Sequence, residues 1–178
     1  IVYYFSAYAD MVKSGDIKMG DKVDFVVPTG NFGDILAGYI AKKMGLSVGR
    51  LICASNTNKV LTDFIETGVY DKNRNFFTTI SPSMDILISS NLERLLFIMS
   101  GFDADKVSGY MQKLATEGKY EVDSELLSLI KAEFDGGFAD ENATYDAIFE
   151  AYEKYNYVMD PHTAVAYSVS NNIKAECK

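Results

Sequence analysis

One short stretch, Pro28 to Asp34, carries the residue types best suited to chemistry in this chain. It is Pro-Thr-Gly-Asn-Phe-Gly-Asp, and it lies between a β-branched apolar run and a segment with helical apolar spacing. Such a junction joins the carboxyl end of a strand to a helix N-terminus, where open α/β sheets bind ligands. Gly30 and Gly33 let the backbone approach an anion closely, and the free N–H groups of a helix start attract negative charge. The stretch therefore indicates an anion-binding loop.

The composition of this loop limits the kind of anion that it can bind. It has no lysine and matches neither Gly-x-x-x-x-Gly-Lys-Ser/Thr nor Gly-x-Gly-x-x-Gly, so a monophosphate held by backbone amides fits better than a triphosphate. A second interpretation needs no ligand, because two glycines can simply make a tight turn whose Asp34 caps the helix. The spacing alone does not decide between the two.

Other polar residues have weaker claims to a function. His162 is the only histidine and is able to titrate near neutrality, but a lone histidine is more often structural. Ser83 and Asp85 would lie near a substrate if their segment faced the site, although Ser-Pro followed by Asp is also common in turns and helix starts. Arg94 suits a substrate phosphate, whereas an ion pair is the commoner fate of an arginine. For His162, Ser83, Asp85 and Arg94, the structural interpretation is favoured.

The elements that must position these residues follow from apolar periodicity. The spacing predicts a helix from Ile1 to Gly15, buried strands at Val23–Val27 and Arg50–Ala54, and a helix between the strands that stops at Gly45. Strand, helix and strand at this spacing form a βαβ unit with parallel strands. Further helices are predicted from about Asn58 to Glu66, after Asn91, after the N-caps Asp103, Asp123 and Asp140, and from Pro161 after Asp160.

Charge divides the chain into two portions. The 17 Lys+Arg and 25 Asp+Glu give a net charge of −8, all of which falls after Gly101. Residues 1–101 are therefore predicted to be an α/β portion with the anion-binding loop, and 102–178 an acidic helical portion packed on the same domain. In the second portion, the spacing of Tyr145, Tyr152 and Tyr155 predicts the packing face of a helix.

Composition excludes several classes of protein and of site. With 48% hydrophobic and 24% charged residues, the chain is typical of folded globular proteins, and no apolar run reaches the roughly 20 residues of a membrane span. The acidic balance argues against a nucleic-acid partner. One histidine with Cys53 and Cys177 gives neither metal-ligand nor disulfide spacing, so no metal is expected, and a cytoplasmic setting is the default. The start at Ile1, without an initiator Met, suggests a piece of a longer protein.

Specific strings of residues carry a resemblance to a known family. They are Val27-Pro-Thr-Gly-Asn-Phe-Gly-Asp34, Cys53-Ala-Ser-Asn56, Leu61-Thr-Asp-Phe64, Ser81-Pro-Ser-Met-Asp-Ile86, Ser90-Asn-Leu-Glu-Arg-Leu95 and Asp160-Pro-His-Thr-Ala-Val165. In order and spacing, over essentially the whole chain, they resemble threonine synthase. That family consists of pyridoxal-phosphate (PLP) enzymes with the tryptophan-synthase-like fold, fold type II.

The resemblance implies a cofactor, a reaction and a set of site residues. It implies that Gly30, Asn31, Phe32 and Asp34 contact the phosphate of PLP, with Gly33 needed for the shape of the loop. The family converts O-phospho-L-homoserine and water to L-threonine and phosphate, the last step of threonine biosynthesis.

Parts of the family's site are missing from this chain. By resemblance, the lysine that forms the Schiff base lies upstream of Ile1, and the segment that serves the pyridine nitrogen lies after residue 178. No catalytic residue is therefore assigned in the chain. Two alternatives stay open: a threonine-synthase-like PLP phospholyase that acts on another phospho-substrate, and a folded domain that is inactive when isolated.

Overall fold

The computed structural model describes residues 1–173, so Cys177 lies outside the described part. Its helices are α1 (Val2–Ser14), α2 (Gly33–Lys43), α3 (Val60–Thr67), α4 (Leu92–Met99), α5 (Ala104–Thr116), α6 (Ser124–Glu133), α7 (Glu141–Tyr155) and α8 (Pro161–Asn172). Its strands are β1 (Val23–Pro28), β2 (Val48–Ser55), β3 (Val69–Asp71), β4 (Lys119–Glu121) and β5 (Phe134–Phe138), and a 3₁₀ turn spans Pro82–Met84.

A parallel sheet of order β1-β2-β5 forms the centre of the fold. Val27 pairs with Cys53, and Cys53 pairs in turn with Gly136, both in parallel register. The predicted βαβ unit and the α/β fold class are confirmed. Strand β5 comes from the portion predicted to be helical, and β3 pairs antiparallel with β4 across the predicted division at residue 101. The division into two portions stays a prediction, and the second portion is not purely helical.

The alternation of side chains along β2 builds a core on each face of the sheet. Leu51 and Cys53 join the large cluster that contains side chains of α2, α3, α4 and α6. Ile52 and Ala54 point the other way and pack with Val165 and Val169 of α8. Packing on both faces holds β1 and β2 in the centre of the fold, and the pairing of Pro28 with Ala54 sets the place where the loop after β1 begins.

Aspartates begin the later helices, as the sequence predicts. Each N-cap carboxylate accepts a hydrogen bond from a backbone N–H group in the first turn of its helix. The pairs are Asp103 with the Lys106 N–H, Asp123 with the Leu126 N–H, Asp140 with the Ala143 N–H and Asp160 with the His162 N–H. Gly15 ends α1 and Gly68 ends α3 in the left-handed conformation. These local hydrogen bonds and turns mark the helix boundaries.

The tyrosine face predicted for packing is wrong. Tyr145, Tyr152 and Tyr155 are 54%, 52% and 66% exposed, while Ala147 and Ala151 form the buried side of α7. The small residues allow α8 to approach closely, which leaves the rings on the outer side. None of the helices in residues 1–173 has the length and apolar character that a membrane span requires.

Candidate functional site

The loop between β1 and α2 presents free backbone donors. Thr29 still donates its N–H to the Ala54 carbonyl, and the α2 bonding pattern begins with the N–H of Leu36, which donates to the Phe32 carbonyl. Within residues 1–173, the N–H groups of residues 30–34 donate no hydrogen bond. These N–H groups lie at the positive end of the α2 dipole, and two of the residues that carry them, Asn31 and Gly33, are exposed to solvent. This geometry fits a phosphate group held by the backbone.

Phe32 anchors the loop in an unusual conformation. Its φ of 62° lies in the left-handed region, which a residue other than glycine adopts infrequently. The ring is 1% exposed and packs against Phe134, with ring centroids 5.6 Å apart. The bend in the loop is therefore made by a buried aromatic residue and not by Gly30 or Gly33, neither of which has positive φ.

Glycine is required at position 30 because the loop lies very close to the backbone of another segment. A Cβ at this position would lie 2.7 Å from the carbonyl oxygen of Ser83 and 3.2 Å from Cα of Met84. At Gly33 the nearest atom to a Cβ would be Nδ2 of Asn91, at 3.3 Å. The two glycines thus have different roles, because only Gly30 faces backbone that cannot rotate away.

Asp34 does not cap α2, so that part of the ligand-free interpretation is wrong. The helix has no side-chain cap, and Oδ1 of Asp34 accepts a hydrogen bond of 3.0 Å from the hydroxyl of Tyr4. The same hydroxyl lies 3.0 Å from the Asp34 carbonyl oxygen, and burial is the main cause that raises the pKa of Tyr4. Because Tyr4 binds the carboxylate, the N–H groups of the loop are left uncovered.

The segment before α4 holds the carbonyl side of the loop. The hydroxyl of Ser89 donates to the Gly30 carbonyl at 3.0 Å, and both the N–H and the Nδ2 of Asn91 donate to the Asn31 carbonyl. With its carbonyls bound there, the loop keeps its N–H groups available. The sequence contained no signal for Tyr4 or Ser89, and Asn91 was predicted only to start a helix.

A buried polar network occupies the carboxyl end of the neighbouring strand β2. Oδ1 of Asp85 accepts hydrogen bonds from Nδ2 of Asn56 at 2.8 Å and from Nδ2 of Asn58 at 3.0 Å. It also accepts from the hydroxyl of Thr79, while Oδ2 accepts the Thr79 N–H. Asn56 and Asn58 are only 2% and 5% exposed. These residues bind one another, which fits a structural role for Asp85.

His162 and Ser83 come together next to the loop. The backbone N–H of Ser83 lies 3.2 Å from Nε2 of His162, whose Nδ1 lies 2.9 Å from Oδ1 of Asp160. The hydrogen bond from His162 is the leading cause that lowers the pKa of Asp160. Arg94 lies in the first turn of α4, is exposed, and makes no ion pair with any residue among 1–173.

Two further features complete the surroundings. An open apolar groove of about 270 Å³ runs along β1 to Asp34 and is lined by Tyr3, Tyr4, Phe25 and Pro28 among others.

Cys53 is fully buried, which raises the pKa of its thiol to about 12 and leaves it inert. Among residues 1–173, no group of His, Cys, Asp and Glu side chains is arranged to hold a metal ion.

Known proteins are similar to this chain in sequence and in fold. Human threonine synthase-like 1 is 42% identical over 175 residues, which are 98% of this chain and 24% of that protein. Threonine synthase of Saccharomyces cerevisiae is 39% identical over 189 residues, covering 99% of this chain and 36% of the yeast protein. A crystal structure of PLP-bound threonine synthase from Brucella melitensis superposes with a TM-score of 0.90 at 42% identity, over 98% of this chain and 36% of that one.

The resemblance to the threonine synthase family is confirmed. It covers nearly all of this chain but only 24% to 36% of the length of these relatives. No family profile matches the chain. The agreement in fold means that the loop after β1 is set in the same α/β framework as in a threonine synthase.

Proposed function

We propose that Gly30, Asn31, Phe32, Gly33 and Asp34 bind the phosphate group of PLP. The observation that carries this proposal is the row of unpaired N–H groups from residue 30 to residue 34 at the start of α2. The PLP bound by the Brucella threonine synthase supports the choice of phosphate ligand. Asn31, Gly33 and Asp34 are exposed, so a ligand can reach the loop from solvent.

Each residue of the loop has a defined part in this binding. The N–H groups donate to phosphate oxygens, and the buried ring of Phe32 holds the bend in place. Tyr4 keeps the Asp34 carboxylate bound, so that it neither covers the N–H groups nor turns toward the anion. Because the donors belong to the backbone, the phosphate can bind without a rearrangement of side chains.

PLP supplies an electron sink for substrate carbanions, and the protein orients it and moves protons. Within residues 1–178 no lysine matches the family's Schiff-base motif, so the chain contributes binding rather than the covalent link. The reaction proposed for the whole protein is that of threonine synthase, from O-phospho-L-homoserine and water to L-threonine and phosphate. The 39% identity to the yeast enzyme named threonine synthase supports this choice.

A second candidate is a PLP phospholyase that acts on another phospho-substrate. It is favoured by the 42% identity to human threonine synthase-like 1, since that identity is no lower than the one to yeast threonine synthase. The phosphate loop would serve both reactions equally. A cytoplasmic setting, and the absence of nucleic-acid and membrane partners, stay predictions from composition.

The binding proposal is tested by comparing PLP with pyridoxal, which lacks the phosphate. The 178-residue chain is expected to bind PLP about tenfold more tightly or better, because charged hydrogen bonds to the phosphate contribute more than about 1.4 kcal/mol. Equal affinity for the two compounds would contradict the proposal.

The substrate is tested on a polypeptide that contains this segment and extends over the family's full length. With O-phospho-L-homoserine, release of both threonine and phosphate supports the threonine synthase reaction. Phosphate release with a different organic product, or turnover of another phospho-substrate alone, would replace it by the second candidate.

A further inference from the structure

His162 links the start of α8 to the backbone that supports the phosphate loop. Nε2 faces the N–H of Ser83 at 3.2 Å, and Nδ1 faces Oδ1 of Asp160 at 2.9 Å. Ser83 and His162 are separated by 79 positions in the chain, so their contact is a tertiary one. The imidazole side chain is 27% exposed, which leaves it accessible to protons.

The two contacts fix the protonation state of the ring. A backbone N–H can only donate, so Nε2 must accept and carry no proton. Nδ1 therefore carries the proton and donates it to the Asp160 carboxylate. A protonated, charged ring would carry hydrogens on both nitrogens, and the Ser83 N–H would lose its acceptor.

The Ser83 backbone in turn contacts the loop. A Cβ placed on Gly30 would lie only 2.7 Å from the Ser83 carbonyl oxygen and 3.2 Å from Cα of Met84. Met84 is 3% exposed and packs in the cluster that includes Val165 and Val169 of α8. A shift of Ser83 would therefore be transmitted directly to Gly30, because no space separates the two backbones.

We propose that His162 is a positioning residue for the phosphate loop, and that its neutral ring holds the Ser83 backbone against Gly30. This inference rests on the proposed function of the loop. It assigns the single histidine a role in the site without contact to the ligand. Loss of the neutral ring is expected to loosen Gly30 and to weaken anion binding.

Other charged groups near the ring already have partners. Asp160, on the same helix start, is the one carboxylate in contact with His162 among residues 1–173. On the segment that carries Ser83, Asp85 binds Asn56, Asn58 and Thr79. At the start of α7, which packs against α8, Oε2 of Glu141 accepts the Ile80 N–H at 3.3 Å. Protonation of Nε2 would remove the acceptor of the Ser83 N–H, so anion binding is compared between about pH 8 and about pH 5.

The test uses the 178-residue chain and inorganic sulfate, whose charge is constant over this range, unlike that of phosphate. Sulfate affinity, read from the backbone amide shifts of residues 30–35, is expected to fall about tenfold as the ring becomes protonated. The Ser83 amide shift is expected to follow the same curve. His162→Gln retains a side-chain acceptor without a titrating ring, so it should bind like wild type at neutral pH and keep that affinity in acid.

Two further variants separate positioning from general packing. His162→Phe keeps a ring but no acceptor, and is expected to bind sulfate about tenfold more weakly at every pH. Asp160→Asn preserves an N-cap but replaces the carboxylate that faces Nδ1 by an amide, so the ring is held less firmly and sulfate binding at neutral pH should weaken, though less than in His162→Phe.

The outcomes distinguish this inference from the proposed function. Sulfate binding at residues 30–35 that is independent of pH, or that is unchanged in His162→Phe, overturns the positioning role and leaves the phosphate loop intact. An acid-induced loss in His162→Gln equal to that of wild type overturns it as well. No amide shift in residues 30–35 at any pH overturns both.

Discussion

The carboxyl ends of β1 and β2 are neighbours in the same parallel sheet, yet they use polar groups in opposite ways. After β1, the N–H groups of residues 30–34 have no partner among the described residues. After β2, the side chains of Asn56 and Asn58 are buried and bound to Asp85 and to residues around Thr79. The polar side chains after β2 are therefore bound to one another as a scaffold, whereas the backbone donors after β1 are left for a ligand.

The scaffold supports the proposed binding loop. Asp85 ties the segment 77–85 to Asn56 and Asn58 at the end of β2, and this segment carries Ser83 to Gly30. His162 adds a second tie, from α8. A loop without side-chain ligands needs such support, because backbone donors bind an anion well only when they are held in place.

The largest effect is expected from breaking the scaffold. Asp85→Ala removes one acceptor from each of the buried amides of Asn56 and Asn58 and the acceptor of the Thr79 N–H, which should lower the free energy of unfolding by about 3 kcal/mol. Urea denaturation measures this loss. Asp146→Ala, at an exposed position on α7, is the control and should change stability by less than about 0.5 kcal/mol. Equal losses in the two variants would mean that the network is not structural.

A smaller effect is expected at the contact between the two regions. Gly30→Ala forces the Ser83 backbone away, which should cost about 2 kcal/mol and also weaken sulfate binding. Gly109→Ala in α5, where a Cβ meets nothing within 4 Å, should instead stabilise the chain by up to about 1 kcal/mol. Thermal or urea unfolding measures both variants. If Gly30→Ala is as stable as its control, the close approach has no energetic importance.

A still smaller effect is expected from releasing Asp34. Tyr4→Phe removes the hydroxyl that binds the carboxylate, with a cost in stability of about 1 kcal/mol. Anion affinity should fall too, because the freed carboxylate can turn toward the N–H groups. Tyr8→Phe loses a comparable hydrogen bond, to the Asp21 carbonyl, far from the loop in sequence. An equal loss of anion affinity in the two variants would show that Tyr4 does not act through Asp34.

No effect at all is expected in a test for covalent binding. The isolated chain should make no threonine, and after treatment with PLP and borohydride no single lysine should carry a stoichiometric adduct. Mass spectrometry of a protease digest reads this out. One fully modified lysine would show that the chain contains the reactive residue.

Local signals made most of the fold predictable. The aspartate caps, the glycine stops and the β-branched runs act over a few residues, and they located the helices and the strands β1 and β2. Strand β5 was missed, because Phe-Asp-Gly-Gly-Phe has little strand propensity and its pairing partner β2 lies far back in the chain. The three-residue strands β3 and β4 were missed for the same lack of a local pattern.

The geometry of the candidate site is predictable from the sequence only in part. Glycine content located the loop, but the left-handed bend at Phe32 has no sequence signature. The hydroxyl of Tyr4 on Asp34 and the ring of His162 on Ser83 join residues 30 and 79 positions apart. Such contacts depend on tertiary packing, so sequence spacing does not report them.

Phosphate titration followed by backbone amide NMR tests the central claim most directly, that residues 30–34 bind a phosphate through their N–H groups. At neutral pH, saturable shifts are expected for the amides of residues 30–35, with little change at Asn58, whose backbone N–H already donates to Oδ1 of Asn56. Shifts that gather at Arg94, or that scatter over the lysines while residues 30–35 stay unchanged, would contradict the account.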